Sequence, residues 1–319
     1  MKQKPPLLIL TGPTAAGKTR LSVTLARQIG GEIISADSMQ VYRHMDIGSA
    51  KIRPEEMQGV PHYMIDIADP REPFHIVLFQ QYARRFMQDI YSRGHIPILA
   101  GGTGFYIQAV LYDIDFTQEE GDPGYRTQLE ALCAQKGEAY LHDMLRACDP
   151  ASAVAIHPHN RKRVIRALEY YRLTGKPISD HNASMRARES SYNACYFVLT
   201  DDRARLYERI DRRVEEMMEE GLVEEVRRLK EMGCRQEMVS MQGLGYQQIL
   251  RYLCGEMTLE EAVRLIKRDT RHFAKRQLTW FRREKDVIWL EQNRFGYDQE
   301  KILSYIKEKM QEKGMAGER

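Results

Sequence analysis

A stretch near the start of the chain has the residue types and the spacing of a phosphate-binding loop. Residues 12–19 read Gly-Pro-Thr-Ala-Ala-Gly-Lys-Thr, which matches the pattern G-x-x-x-x-G-K-S/T. Glycines allow successive backbone N–H groups to surround an oxyanion, Lys18 adds a full positive charge, and the Thr19 hydroxyl can contact a phosphate-bound Mg²⁺. The pattern therefore predicts that a di- or triphosphate binds to Gly12, Thr14, Ala15, Ala16, Gly17, Lys18 and Thr19.

The elements around this loop are those of a parallel α/β sheet. In order, the sequence predicts strand 7–11, helix 18–29, strand 32–36, short strand 62–67, helix 75–93, strand 95–100, strand 194–200, helix 203–232, helices within 246–283, strand 287–290 and helix 298–313. Strands joined by crossover helices point the same way. Asp37 and the glycine-rich residues 101–104 each follow a strand, so we expect both at the sheet edge that carries the loop.

Residues 117–195 contain turn signals between helical segments and no convincing strand. The expected class is therefore α/β, with a P-loop NTPase-like parallel sheet, a helical insertion and additional C-terminal helices. The expected division is 1–116 for the first part of the core, 117–195 for the insertion, 196–292 for the rest of the core with basic helices, and 293–319 for a peripheral C-terminal helix.

The composition is that of an ordinary globular protein and argues against several classes. The 319 residues carry a formal net charge of +3, so a nucleic-acid role would depend on local clusters of charge. The five cysteines form no C-x-x-C pair, which argues against a zinc site and a disulfide framework. The chain has no run of about 18 apolar residues and its first strand begins close to Met1. We therefore expect a cytoplasmic protein with no signal peptide and no membrane partner.

Two clusters of basic residues predict contact with a polyanion. Between positions 264 and 285, nine basic residues stand against two acidic ones. At about 100° per residue, some of them fall within about 60° on one helix face, namely Arg264, Arg268, Arg271, Lys275 and Arg282. A second cluster at 161–176 is offset by Glu169 alone. A solvated helix face usually mixes both signs of charge, so we favour polyanion contact over a merely solvated surface.

Further motifs resemble those of the bacterial tRNA dimethylallyltransferase family. Besides the loop, they are Asp-Ser-Met-Gln-Val-Tyr at 37–42, Gly-Val-Pro-His at 59–62 with Ile-Asp at 65–66, Gly-Gly-Thr-Gly-Phe-Tyr at 101–106, Lys-Arg-Val-Ile-Arg-Ala-Leu-Glu at 162–169, Gly-Leu-Gly-Tyr-Gln-Gln at 243–248 and Lys-Arg-Gln-Leu-Thr-Trp-Phe-Arg at 275–282. The resemblance runs in order from residue 7 to residue 291. Two departures, Ala16 for serine and Ser49 for threonine, remove no charged group.

The resemblance implies transfer of a dimethylallyl group from its diphosphate to the exocyclic amine of the adenosine directly 3′ of the anticodon. Lys18, the loop amides, Mg²⁺ on Thr19 and an arginine would neutralise the leaving diphosphate. The resemblance assigns that arginine as Arg213 rather than Arg212. The delocalised amine needs a base, for which Asp37 is the candidate, and Thr103 would hold the adenine. Asp37 is alternatively a magnesium ligand.

The resemblance also implies that the insertion and the basic helices bind the anticodon stem-loop, and that the target adenosine is flipped out of its stack. It further implies a monomeric enzyme that uses Mg²⁺. The implied tRNA-binding residues are Asp37, Ser38, Met39, Gln40, Lys162, Arg163, Val164, Ile165, Arg166, Gln242, Gly243, Gly245, Tyr246, Gln247, Arg268, Arg271, Lys275, Arg276, Gln277, Thr279, Trp280 and Arg282. The competing interpretations are a nucleoside or small-molecule kinase that uses ATP at the same loop, and an RNA-binding switch without transferase chemistry.

Overall fold

The computed structural model describes residues 4–114, 116 and 123–315. The chain divides into two compact units, one formed by Met1–Leu111 with Ser191–Arg319 and the other by Tyr112–Ser190. The expected insertion, 117–195, has different bounds from the second unit, and residues 117–122 lie outside the described residues.

The first unit contains a six-stranded parallel sheet with strand order β3-β2-β4-β1-β5-β6, which confirms the predicted α/β class. The strands are β1 (Pro6–Thr11), β2 (Gly31–Ala36), β3 (His62–Tyr63), β4 (Ile96–Gly101), β5 (Asn193–Thr200) and β6 (Val287–Glu291). Helices cover both faces of a parallel sheet, so its central strands are apolar throughout. In β1, residues 7–10 are completely buried.

The helices are α1 (Lys18–Ile29), α2 (Ile76–Ser92), α3 (Gly104–Leu111), α4 (Pro123–Lys136), α5 (Glu138–Cys148), α6 (Pro150–Ala155), α7 (Arg161–Thr174), α8 (Ile178–Ala187), α9 (Arg203–Glu219), α10 (Leu222–Glu231), α11 (Tyr246–Leu253), α12 (Leu259–Phe281) and α13 (Gln299–Glu312). The predicted end of α1 is confirmed, because Gly30 caps the helix in the left-handed region at φ 64°.

Two predicted elements are shorter than the sequence indicated. The strand expected at 62–67 ends at Tyr63, because Met64 and Asp66 have left-handed backbones with φ of 67° and 55°. The single helix expected at 203–232 is broken between α9 and α10. Gly221 adopts φ 99° at the break, a conformation that glycine accepts without strain.

The C-terminal helix α13 packs into the main core, although we expected it at the periphery. Its residues Ile302, Leu303, Ile306 and Met310 join the cluster formed around β1, β5 and α1. Each is at most 4% exposed. Complete burial of such a side chain contributes about 1.5–3 kcal/mol, so α13 is part of what stabilises the sheet.

The second unit consists of α4 to α8, and its described residues include no strand. Its own core contains Leu129, Leu141, Leu145 and Leu168. Arg126, whose side chain is half exposed, donates two hydrogen bonds, of 2.8 and 2.6 Å, to the buried carboxylate of Glu169. Glu169 therefore neutralises a residue of α4 rather than the basic cluster on its own helix.

Candidate active site

The predicted phosphate loop lies between β1 and α1, at the carboxyl edge of the sheet. Gly12 has φ 146° and approaches β5 so closely that a Cβ there would lie 2.1 Å from the Leu199 carbonyl oxygen. Ala15 and Gly17 also have positive φ, of 60° and 91°. The Lys18 ammonium donates a 2.7 Å hydrogen bond to the Pro13 carbonyl. Glycine is thus required at position 12 by the packing of the loop against its neighbouring strand.

Gln277, which the sequence assigned to tRNA, joins the phosphate loop to the second glycine cluster. Its side-chain oxygen accepts a 2.9 Å hydrogen bond from the Thr14 N–H, and its amide nitrogen donates to the Gly102 carbonyl at 3.0 Å. A Cβ on Gly102 would lie 2.3 Å from that nitrogen. The Thr14 N–H already has a partner, so the diphosphate must be bound by other amides of the loop.

Asp37 leaves the end of β2 and faces the same edge. One carboxylate oxygen accepts a 2.9 Å hydrogen bond from the Met39 N–H. Burial raises the pKa of Asp37, while the Met39 hydrogen bond and the charges of Lys18 and Arg213 oppose this rise. Thr103 lies close by, because its N–H donates to the carbonyl of Ala36 at 3.0 Å.

Two cations face this carboxylate. Burial first, and then the charge of Arg213, lower the pKa of Lys18 to about 7, although Asp37 opposes the shift. Burial likewise lowers the pKa of Arg213 on α9. Arg212, by contrast, is exposed and pairs with Glu216 at 3.5 Å. The structure therefore brings Arg213, and not Arg212, to the carboxylate and the lysine.

These groups line one cavity of about 540 Å³ in the first unit. Its polar wall includes Thr14, Lys18, Thr19, Asp37, Gln40, Thr103, Arg213, Gln247, Arg276 and Gln277. Its apolar wall includes Ile33, Ile52, Ile65, Ile210, Val214 and Phe273. A site with cations, two carboxylates (Asp37 and Asp269) and a hydrocarbon wall suits a ligand that has an anionic end and an apolar end.

Among the described residues, no group of three or more His, Cys, Asp or Glu side chains is arranged to hold a metal ion. Thr19 is exposed and lines the cavity. Mg²⁺ commonly keeps several waters and takes few protein ligands when it binds substrate phosphates. The residues present therefore fit a magnesium ion held by Thr19 and a diphosphate, and they do not fit a site made of protein ligands alone.

Four of the side chains assigned to tRNA are buried, those of Val164, Ile165, Tyr246 and Gln277. Burial of the first three argues against direct contact of these side chains with RNA. Val164 and Ile165 are 1% and 3% exposed, because they occupy the core-facing side of α7 in the second unit. Tyr246 is completely buried, with its hydroxyl bonded to Glu225 at 2.8 Å. Motif membership does not reveal which side of a helix a residue occupies. The neighbouring Lys162 and Arg163 are exposed, and Arg166 is half-buried.

The basic face of α12 is less uniform than its sequence indicated. Arg271 pairs with Asp211 at 2.8 Å and Lys267 pairs with Glu215 at 2.6 Å, both across to α9. Arg268 pairs with its neighbour Asp269. Asp211 and Glu215 were missed as partners because they lie more than fifty positions away in the sequence. The assigned residues of α12 and its end that are exposed are Arg268, Lys275, Arg276, Thr279 and Arg282.

Some of the remaining assigned residues line the cavity, and Trp280 and Gly245 do not. Trp280 packs against α3, where a Cβ on Gly104 would lie 2.2 Å from the indole nitrogen. That nitrogen is buried and has no hydrogen-bond partner among the described residues. Ser38, Met39, Gln242 and Gly243 line the cavity, whereas Gly245 is buried at the start of α11. No helix in the described ranges has the length and apolar character needed to cross a membrane.

Sequence comparisons identify relatives along almost the whole chain. Residues 40–284 match the family model described as IPP transferase, and residues 5–72 match a model for isopentenyl transferase. The tRNA dimethylallyltransferase of Lachnoclostridium phytofermentans is 59% identical over 302 residues, covering 95% of this chain and 96% of that protein. The tRNA dimethylallyltransferase of Carboxydothermus hydrogenoformans is 50% identical over 300 residues, with 93% and 96% covered.

Comparison with solved structures finds proteins of the same kind as these relatives. The tRNA isopentenylpyrophosphate transferase of Bacillus halodurans is 45% identical, has a TM-score of 0.73 and covers 98% of both chains. A eukaryotic dimethylallyltransferase acting on tRNA is 28% identical, with a TM-score of 0.77 over 90% of this chain and 74% of that chain. One family model spans most of the chain, and relatives with half or more of their residues identical span nearly all of it. The chain therefore belongs to the IPP transferase family.

Proposed function

We propose that this chain transfers a dimethylallyl group from dimethylallyl diphosphate to the exocyclic amine of the adenosine 3′ of the anticodon in a subset of tRNAs. The observation that carries the proposal is the convergence of Lys18, Asp37 and Arg213 on one cavity that also has a hydrocarbon wall. The two cations suit a diphosphate, the apolar wall suits a prenyl chain, and the carboxylate suits an amine that must lose a proton.

In the reaction, the amine nitrogen attacks the first carbon of the dimethylallyl group, and the bond from that carbon to the diphosphate oxygen breaks. The bonding electrons leave with the diphosphate, whose growing charge is stabilised by Lys18, Arg213 and the free amides of the loop. The amine proton passes to the Asp37 carboxylate. Thr103, which follows the end of β4, holds the adenine beside Asp37.

Mg²⁺ held by Thr19 and the diphosphate would add positive charge to the leaving group when bound. This assignment leaves Asp37 available as the base. A hydrated Mg²⁺ needs few protein ligands, and the hydroxyl of Thr19 with the phosphate oxygens provides an attachment. Asp37 also stands beside Lys18 and Arg213, whose charges offset in part the rise in its pKa that burial causes.

The target adenine must leave its base stack to reach such a cavity. Exposed basic residues on α12 and, in the second unit, on α7 are suited to bind the phosphates of the anticodon stem-loop. The residues concerned are Lys162, Arg163, Lys275, Arg276 and Arg282. A monomeric enzyme in the cytoplasm, where tRNA is available, is part of the same proposal.

The test of this function is to incubate the protein with unmodified tRNA and either dimethylallyl diphosphate or ATP, and then to measure nucleoside masses. We expect one prenyl group on adenosine with dimethylallyl diphosphate and no change with ATP. Phosphorylated product from ATP would support the kinase interpretation, which the relatives do not favour. Binding of tRNA without any modification would support the RNA-binding switch.

The exposed charges of α12 should contribute to tRNA affinity through phosphates. We expect Lys275→Ala to weaken tRNA binding and to reduce the slope of log affinity against log salt by about one unit. Arg271→Ala should change the slope less, because Asp211 already neutralises that guanidinium. Lys301→Ala, on α13, is the control. Filter binding over a salt series measures the tRNA affinity of the wild type and of the three variants. An unchanged slope for Lys275→Ala would show that this face of α12 is only solvated.

The rate of prenyl transfer should fall on the acidic side of neutrality. Because burial raises the pKa of Asp37, this carboxylate gains its proton at a higher pH than an exposed aspartate does. A protonated Asp37 cannot accept the amine proton, so the rate falls as pH decreases through that pKa. Single-turnover rates at saturating substrates should show this decline in the wild type and not in Asp37→Asn. A wild-type rate that stays level down to about pH 4, where an ordinary aspartate titrates, would contradict it.

A further inference from the structure

We propose that Glu225 is a positioning residue for prenyl transfer, because its buried carboxylate fixes the loop of residues 46–50 and that loop fixes the segment carrying Asp37. The inference rests on the proposed function. No motif in the sequence pointed to this glutamate, and it does not line the cavity.

Glu225 is 2% exposed on α10 and its carboxylate is the centre of a dense set of hydrogen bonds. It accepts from three consecutive backbone N–H groups, those of Asp46, Ile47 and Gly48, at 2.9, 2.8 and 3.0 Å. The Tyr246 hydroxyl donates a further bond at 2.8 Å. Charge-assisted bonds of this kind are strong and directional. An amide at this position would turn its NH₂ group toward N–H donors and leave buried donors unpaired.

Packing and a second buried charge hold the same loop. A Cβ on Gly48 would lie 2.6 Å from the Tyr246 ring, so the loop rests directly on the residue that also bonds Glu225. At the other end, Lys51 has a side chain only 5% exposed and donates to the Asp46 carboxylate at 2.5 Å and to the Tyr42 carbonyl at 2.9 Å. Glu225 therefore holds the first residues of the loop, and Lys51, which directly follows the loop, ties its end back to Asp46.

Gln40 connects this loop to the segment that carries Asp37. Its amide nitrogen lies between the carbonyls of Ser49 and Ala50, at 3.4 and 3.3 Å, and its oxygen accepts from the Ser35 hydroxyl at 2.9 Å. The first two bonds are long, so they orient the side chain more than they stabilise it. Asp37 stands three positions before Gln40 and two positions after Ser35. The short segment that carries the base is thus held by the loop that Glu225 organises.

The phosphate loop is held by different contacts. Gln277 and the close approach of Gly12 to Leu199 fix it against α12 and β5. Within the described ranges, no hydrogen bond joins residues 46–50 to residues 12–19. Disturbing Glu225 should therefore affect the proton transfer to Asp37 and leave diphosphate binding intact. If Glu225 only stabilised the fold, its loss would not separate the rate of proton transfer from the affinity for the diphosphate.

The test compares Glu225→Gln with wild type in single-turnover prenylation of tRNA, together with the KM for dimethylallyl diphosphate and the Kd for tRNA. We expect the rate constant at saturating substrates to fall by about 10²-fold, the usual effect of misplacing a reacting group by about 1 Å. The KM and the Kd should stay at their wild-type values. Loss of folded protein would lower the amplitude of the reaction and not its rate constant.

Glu224→Gln is the matched control, because Glu224 is exposed on the same helix and pairs with Arg227 at its surface. Tyr246→Phe should lose less than Glu225→Gln, since the three bonds to the loop remain. If Glu225→Gln does not fold, Lys51→Met removes the second buried charge that holds the loop, at a residue that does not line the cavity, and should show the same fall in rate constant. A wild-type rate constant in the folded variant, or a loss that appears in the KM for the diphosphate, would overturn the proposal. An inactive wild type would refute the proposed function instead.

Discussion

Asp37→Asn lowers the single-turnover rate of prenyl transfer by about 10²–10⁴-fold, the usual contribution of a positioned proton acceptor. The amide has nearly the size of the carboxylate, so it can still accept the hydrogen bond from the Met39 N–H. Affinity for dimethylallyl diphosphate and for tRNA should therefore stay close to wild type. Rapid-quench measurement at saturating concentrations of both substrates separates this rate from binding.

The alternative role of Asp37, as a magnesium ligand, gives a different result. Loss of a metal ligand would weaken diphosphate binding, and raised Mg²⁺ would partly restore the rate. Recovery of Asp37→Asn to nearly wild-type rate at high Mg²⁺ would contradict the base assignment. Asp89→Asn, on the exposed side of α2, is a control for loss of an aspartate remote from the cavity.

Lys18→Ala should lower kcat/KM for dimethylallyl diphosphate by about 10²–10³-fold, as expected when a donor to a developing anion is lost. Lys18 faces Arg213 and Asp37 and lines the cavity, whereas Lys275 on α12 is exposed and does not line it. tRNA affinity should therefore change little. Steady-state kinetics and filter binding on the same preparation measure the two effects.

Lys18→Met is the matched variant, because methionine keeps an unbranched apolar chain and lacks the ammonium group. Both variants lose the positive charge and the hydrogen bond from the lysine to the Pro13 carbonyl. Equal losses in the two would assign the effect to the missing ammonium group and not to the shortened chain. A large fall in tRNA affinity in either folded variant would refute the separation of diphosphate binding from RNA binding.

The placement of Lys18, Asp37 and residues 101–104 on one edge could be predicted from the sequence. Each follows a strand, and the strands of a parallel sheet end at the same edge. The register of the sheet agrees, with Thr11 and Ala36 both beside Gly101. Local signals were enough to predict this placement, because glycine spacing, apolar runs and the order of elements can be recognised within short segments of the chain.

What could not be predicted depends on contacts between distant segments. Gln277 lies 263 positions from Thr14, and Glu225 lies 177 to 179 positions from the three loop N–H groups that it binds. Glutamine and glutamate at such positions carry no local pattern that separates a buried partner from a surface residue. The break at Gly221 was missed for a related reason, since one glycine within a helical pattern is often tolerated.

The most direct test of the proposed function is the coupling of diphosphate release to prenylation of one adenosine. Dimethylallyl diphosphate with labelled carbon is given to the enzyme with an unmodified tRNA that has adenosine 3′ of the anticodon, and with the same tRNA carrying guanosine there. We predict equal molar amounts of label in the adenosine tRNA and of diphosphate released, with no label in the guanosine tRNA. Release of diphosphate without labelled tRNA, or equal labelling of both tRNAs, would contradict the account.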